Sequence, residues 1–119
     1  MKKLIPLVLF VLLAFAGCNR GPVVYKVAER PNQVAPNAEE FAEQTAKRAK
    51  HYSAEDWGVA IEQFTAMCKD YKEKKMFMNQ DDVIRYKDAR LDFIKSVDLY
   101  GNLDLALQIK EIYSEIMDD

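Results

Sequence analysis

The chain has 119 residues, enough for one small domain, and it carries 17 basic and 19 acidic side chains. Removal of an N-terminal export signal containing Lys2 and Lys3 leaves about 15 basic residues against 19 acidic ones, a net charge near −4. Because nucleic-acid binders are usually basic, this charge argues against such a partner. A mature chain of about 102 residues can bury a modest core but hardly a deep catalytic cavity, so we do not expect an enzyme.

The N-terminus has the three parts of an export signal. Lys2 and Lys3 form a basic region, residues 4–13 are apolar, and Ala-Phe-Ala-Gly at 14–17 stands directly before Cys18. The apolar run is too short to span a bilayer comfortably. Small residues directly before a cysteine resemble a bacterial lipobox, which implies cleavage after Gly17 and acylation of the Cys18 thiol. We therefore predict a signal peptide over 1–17 and a lipidated Cys18; a secreted protein or a signal anchor with an incidental cysteine is the alternative.

The residue after the cysteine bears on which membrane holds the protein. An aspartate there would resemble the inner-membrane retention signal of many Gram-negative bacteria, and this chain has Asn19 instead. The expected location is therefore the cell envelope, lipid-anchored at the outer membrane of a Gram-negative bacterium.

Residues 18–37 are predicted to be the lipidated cysteine and a flexible linker. Pro22, Pro31 and Pro36 interrupt this stretch, and no apolar period survives in it. Nineteen residues of linker reach roughly 60 Å when fully extended. A peptide that docks on a partner is the alternative interpretation.

Residues 38–119 are predicted to form a helical domain, because they lack proline and their apolar residues recur every three to four positions. We expect helices over about 38–50, from 53 onward, over about 80–100 and over about 103–117. The first is the weakest, because its inner face is mostly small and therefore packs closely but contributes little burial. Short connections favour antiparallel neighbours. The predicted fold class is therefore all-α, a small antiparallel helical bundle of three to four helices behind a signal peptide and a flexible tether.

Local signals mark several helix ends. Ser53 and Asp56 have the spacing of a capping box, and Tyr52 is placed to pack on Trp57 as a hydrophobic staple. One apolar stripe then covers a single side of the second helix: Trp57, Ala60, Ile61, Phe64, Met67, Cys68 and Tyr71. Three asparagines can cap the first, third and fourth helices, in that order: Asn37, Asn79 and Asn102. Gly101 is expected to end the third helix.

Catalytic and metal-binding candidates are scarce. His51 stands at a helix end, where its expected role is a favourable interaction with the helix dipole. Cys68 lies on the apolar stripe and is expected to be a small buried side chain; a redox role is the alternative. Met67, Cys68 and the methionines at 76 and 78 are soft ligands that could suit Cu(I), but packing already explains the first two. We predict no cofactor and no metal site.

The best candidate for a site is a surface. Met76, Phe77 and Met78 are apolar residues in a predicted loop, and Ile84 and Leu91 lie off the main stripe of the third helix. If these side chains are exposed, Phe77, Ile84 and Leu91 form a candidate contact with a partner. Packing favours the other outcome, in which these five side chains close over the end of the bundle or meet the first helix.

Residues 51–57 read His-Tyr-Ser-Ala-Glu-Asp-Trp, and an amphipathic helix containing Phe64 follows. Together with the lipobox, this Tyr-Ser-x-x-Asp-Trp helix start resembles a group of small helical lipoproteins of Bacteroidota. The function of that group is undefined, so the resemblance implies a compartment and a fold rather than an activity.

The predicted function is that of a membrane-anchored cell-envelope lipoprotein whose helical bundle is a non-catalytic interaction module. Its partners would be the membrane, through the N-terminal lipid, and an envelope protein, peptidoglycan or a second copy of the chain. The alternative is a periplasmic domain that sequesters a small ligand or a metal ion. We expect no nucleic-acid partner.

Overall fold

The computed structural model describes residues 21–117, with side chains for all of these except 103 and 115–117. It contains four helices: α1 (Val34–Arg48), α2 (Ala54–Lys74), α3 (Gln80–Tyr100) and α4 (Leu103–Met117). Short 3-10 turns occur at Pro31–Gln33, Ala49–His51 and Lys75–Phe77. No strand occurs among residues 21–117, so the predicted all-α bundle is confirmed, and none of its helices has the length and hydropathy needed to cross a membrane. The predicted signal peptide (1–17) and Cys18 lie outside the described residues.

The start of α2 confirms the predicted capping box. Ser53 Oγ accepts a hydrogen bond from the Asp56 amide (3.1 Å), and Asp56 Oδ2 accepts one from the Ser53 amide (3.0 Å). The predicted staple also forms, because the Tyr52 and Trp57 rings meet edge to face with centroids 5.0 Å apart. These contacts satisfy two orphan amides and fix the direction in which the chain enters α2.

Two asparagines cap the helices that follow, as predicted. Asn79 Oδ1 accepts a hydrogen bond from the Asp82 amide (2.8 Å), and Asn102 Oδ1 accepts one from the Leu105 amide (2.9 Å). Each side chain replaces the missing intrahelical acceptor of a first-turn amide.

Gly101 ends α3, as predicted, but not through a left-handed backbone. Its φ is −91°, which any residue can adopt. A Cβ at this position would lie 2.8 Å from the Val97 carbonyl oxygen. The same oxygen accepts a hydrogen bond from the Gly101 amide. Glycine is therefore needed here because the chain passes so close to the last turn of the helix.

The closest helix contact is between α1 and α3, which run parallel. Small, buried residues such as Ala42, Ala89 and Ser96 let the two backbones approach. Across the same face, Arg85 makes a two-pronged ion pair with Glu39, with Nε and Oε2 2.9 Å apart. The close packing predicted for the small face of the first helix is thus present, because small side chains let the two backbones approach where large ones would separate them.

Helix α2 packs on α3 through large rings. Phe64 stacks on Phe93 with centroids 4.6 Å apart, and Tyr71 stacks on Tyr86 at 4.0 Å. These pairings show that the two helices are antiparallel. The entire predicted stripe of α2 is buried: Trp57, Ala60, Ile61, Phe64, Met67, Cys68 and Tyr71. Helix α4 lies against both α2 and α3.

The prediction of a flexible linker is wrong for the described part of 18–37. Tyr25 and Ala28 are 3% and 5% exposed, and the Tyr25 ring meets Phe41 edge to face. Asp70 of α2 accepts hydrogen bonds from Tyr25 Oη (2.6 Å) and from the Ala28 amide (2.9 Å). The segment 21–30, which we call the strap, therefore lies along the bundle in an extended form. It has no helical period to reveal it, because single anchor residues hold it.

Helix α1 also begins one turn earlier than predicted, at Val34. Pro36 falls in its first turn, where an amide would have no intrahelical acceptor, so the proline costs no hydrogen bond. Val34 and Ala35 are fully buried. The expected cap, Asn37, lies inside the helix instead, and its Nδ2 donates to the Lys26 carbonyl of the strap (2.9 Å).

Candidate functional site

The corner between α2 and α3 exposes two large apolar side chains. Met76 is 84% and Phe77 is 73% exposed, both in the 3-10 turn after α2. Met78, the next residue, packs partly against the core. We call this corner, with the first turn of α3, the distal end of the bundle.

The other two predicted contact residues are exposed as well. Ile84 is 50% and Leu91 54% exposed. At 100° per residue they lie about 160° and 140° around α3 from the buried Tyr86, so they share a face that points away from α2. Helix α4 covers a different side of α3, near Ile94 and Val97. Of the residues expected to close over the end of the bundle, Met78 packs partly against the core, whereas Phe77, Ile84 and Leu91 are at least half exposed.

Charged side chains separate the apolar residues on this surface. Lys87 and Asp88 are exposed and lie on α3 between Ile84 and Leu91. The surface is thus a set of apolar anchors among charges rather than one continuous hydrophobic patch. Such a mixture is typical of contacts that form between proteins that are also stable alone.

Cys68 and His51, the two residues with potential reactivity, lie in different environments. Cys68 is fully buried, as predicted, and burial raises the pKa of its thiol. The thiol form therefore persists at neutral pH, and thiolate chemistry is disfavoured. His51 is exposed in the 3-10 turn after α1.

The possible Cu(I) cluster is not assembled. Met67 and Cys68 are fully buried in the core, whereas Met76 is 84% exposed at the distal end. Within residues 21–117, no three His, Cys, Asp or Glu side chains converge in a way that could hold a metal ion.

Sequence reasoning missed a buried cation on α3. Arg90 is only 8% exposed, and its guanidinium carbon lies 4.6 Å from the Tyr113 ring centroid and 5.2 Å from that of Tyr86. Its Nη2 donates to Tyr113 Oη (3.2 Å), but Nη1 is buried without a hydrogen-bond partner among the described residues. The two ring faces offset part of the cost of burying this charge. Its position in an apolar stripe was the one signal in the sequence.

An apolar groove adjoins this cation. It has a volume of about 370 Å³ and lies between α3 and α4. Its apolar lining comes from both helices: Ile94, Val97, Ala106, Ile109 and Tyr113. Since Tyr113 lines the groove and also accepts the Arg90 hydrogen bond, the groove and the guanidinium are neighbours.

No protein-family model, no curated protein and no solved structure matches this chain.

Proposed function

We propose that this chain is a lipid-anchored protein of the cell envelope whose helical bundle contacts another envelope protein through Phe77, Ile84 and Leu91. The observation that carries the proposal is the exposure of Phe77, 73% of whose surface faces solvent at the distal end.

The fold itself does not need these side chains. The rings that make the core stack with one another in the interior, as Phe41 and Phe64 do on either side of Phe93. An aromatic side chain that is left in water gains its hydrophobic stabilisation only when a partner covers it. Exposed aromatic and large aliphatic residues are the usual energetic anchors of protein contacts.

The proposed lipid anchor at Cys18 is supported by the N-terminal sequence. Residues 14–17 and Cys18 resemble a lipobox, and several acyl chains on one cysteine would hold a protein at a membrane for long periods. Fractionation of cells that express the Cys18→Ser variant tests this part. We expect the variant to leave the membrane fraction, and mass spectrometry should find acyl chains on the unaltered protein only. Membrane retention of the variant, with no acyl group on either form, would refute the anchor.

The contact surface is tested by crosslinking in intact cells. We expect Phe77→Glu and Leu91→Glu to abolish the crosslink to the partner while the circular dichroism of the bundle stays unchanged. Leu107→Glu on α4 is the matched control, since Leu107 is 50% and Leu91 54% exposed. If the control loses the crosslink equally, or Phe77→Glu keeps it, the surface is misassigned. A crosslink between two copies of the chain would replace the envelope protein by self-association.

A second candidate function rests on Arg90. A buried guanidinium whose Nη1 has no partner among the described residues lies next to an apolar groove, and this arrangement suits a ligand that joins an acidic head to an apolar chain. A fatty acid should then raise the melting temperature of the protein, and the rise should vanish in Arg90→Met, which keeps the length of the side chain. If a fatty acid does not stabilise the protein, this candidate is dropped.

A further inference from the structure

The place where the chain joins the bundle limits how the bundle can sit on a membrane. Arg48, the last residue of α1, donates from Nη1 to the Gly21 carbonyl oxygen (3.3 Å). Val23, two residues on, packs against the core. We call this end of the bundle, where α1 and α3 both finish, the proximal end. Cys18 is three residues from Gly21, so the two α-carbons can be at most about 11 Å apart.

This short distance replaces the long flexible linker that the sequence predicted. A linker of 19 residues would reach roughly 60 Å and would let the bundle turn freely. Since the strap lies along the bundle, only the residues between Cys18 and Gly21 remain to separate it from a lipid. Helix α3 runs from the distal to the proximal end and is about 31 Å long, because it has 21 residues. A short link at one end of such a body brings that end to the bilayer.

The proximal end carries the side chains that such a position requires. Leu99 and Tyr100, in the last turn of α3, are 73% and 44% exposed. Tyr100 shares with Tyr52 an open depression of about 390 Å³. Leucine favours the apolar side of a membrane interface, and tyrosine is enriched there because its ring is apolar and its hydroxyl polar.

Charge at the proximal end is mixed. Lys47 and Lys50 are exposed near the end of α1, and Glu43 lies 3.9 Å from the Lys47 ammonium. Glu55 and Asp104 stand in the first turns of α2 and α4, where the helix dipoles offset part of their charge. Lysine stems can also extend along a membrane surface and keep their ammonium groups in water. Since charges of both signs are present and Asp98 is exposed beside Leu99, net charge does not favour this surface, and only its apolar side chains do.

We propose that the proximal end lies against the phospholipid headgroups, with Leu99 and Tyr100 in the interfacial layer, and that the distal end points away from the membrane. This inference rests on the proposed lipid anchor. It gives Phe77 a height of about 30 Å above the bilayer, the length of a 21-residue helix.

The test uses the chain from Cys18 to Asp119, which contains every described residue, coupled through the Cys18 thiol to maleimide-bearing lipid in vesicles. Cys68 is fully buried and does not compete for the reagent. The vesicles contain brominated phosphatidylcholine, which quenches tryptophan only at close range. Leu99→Trp and Phe77→Trp form a matched pair, because both side chains are 73% exposed at opposite ends of the bundle. The parent chain gives the background from Trp57.

We expect the brominated lipid to quench the added emission of Leu99→Trp about twofold or more, because interfacial side chains lie about 5–10 Å into the headgroup boundary. The emission of Phe77→Trp should stay as it is in solution. Equal quenching of both variants, or of neither, would overturn the orientation.

The two proposals fail in different ways. Chemical coupling to the vesicle does not depend on acylation in cells, so a negative fractionation result for Cys18→Ser removes the anchor without affecting this measurement. If Leu99→Trp and Phe77→Trp are quenched equally in the vesicles, the proposed orientation is refuted, but the proposed lipid anchor is not affected.

Discussion

The strap depends on one buried carboxylate, and its removal gives the sharpest prediction. The Asp70 side chain is 1% exposed and accepts from Tyr25 Oη, from the Ala28 amide and from Lys74 Nζ. Asp70→Ala leaves these three donors without their acceptor. Lys74 can turn to water, because 18% of its side chain is already exposed, but the other two donors can do so only if the strap lifts.

The magnitude follows from these contacts. A buried donor that loses its acceptor costs about 1–3 kcal/mol, so the two donors in the strap predict that Asp70→Ala lowers the free energy of unfolding by about 2–6 kcal/mol. Tyr25→Phe removes one hydrogen bond to a charged group and should cost about 1.5–3 kcal/mol. The double variant should cost less than the sum of the two, because both changes break the same contact.

Urea unfolding followed by circular dichroism measures the loss of stability, and hydrogen exchange of the Ala28 amide reports whether the strap has lifted. Asp92→Ala is the control, since Asp92 is an exposed aspartate on α3 with no ion pair within the described structure. It should change stability by less than about 0.5 kcal/mol. A loss below about 1 kcal/mol in Asp70→Ala, with Ala28 still protected, would refute the claim that Asp70 holds the strap.

Three further predictions concern the bundle itself. Trp57→Ala should destabilise by about 3–5 kcal/mol in urea, as large-to-small core changes do, and a loss below about 1 kcal/mol would mean that Trp57 does not seal the core. Gly101→Ala should cost about 1–3 kcal/mol by thermal unfolding, because its Cβ would crowd the Val97 carbonyl; an unchanged melting temperature would contradict this. The Arg85 guanidinium lowers the pKa of Glu39 below 4.5, so the pair stabilises the fold above that pH and the contribution fades as pH falls through the lowered pKa. Arg85→Met should return the Glu39 pKa to its ordinary value in an NMR titration, and an unmoved value would show that the ion pair is absent in solution.

Helix boundaries with a local chemical cause were predictable. Both limits of α3 and the start of α4 follow from asparagine caps and from Gly101, and the start of α2 follows from the capping box at Ser53. Each of these signals acts within four residues along the chain, so the sequence displays it directly. The start of α1 was misplaced because Pro36 is typical both of linkers and of the first turn of a helix.

The candidate site was predictable only in part. Sequence patterns selected Phe77, Ile84 and Leu91 as residues outside the main stripe, but they could not decide between exposure and burial. That choice depended on where α1 and α4 lie around α3, which is a property of the packing. The same limit hid the environment of Arg90, because its neighbour Tyr113 is on another helix.

The sequence by itself determined the helical class of this chain, most of its helix ends and the apolar side of α2, because periodicity and caps are local. Tertiary structure alone decided that α3 is the helix on which α1 packs, that the strap is bound, and that the proximal and distal ends expose different side chains. The physical reason is the same in each case. These features depend on pairs such as Tyr25 with Asp70, which lie far apart along the chain and meet only when the bundle has formed.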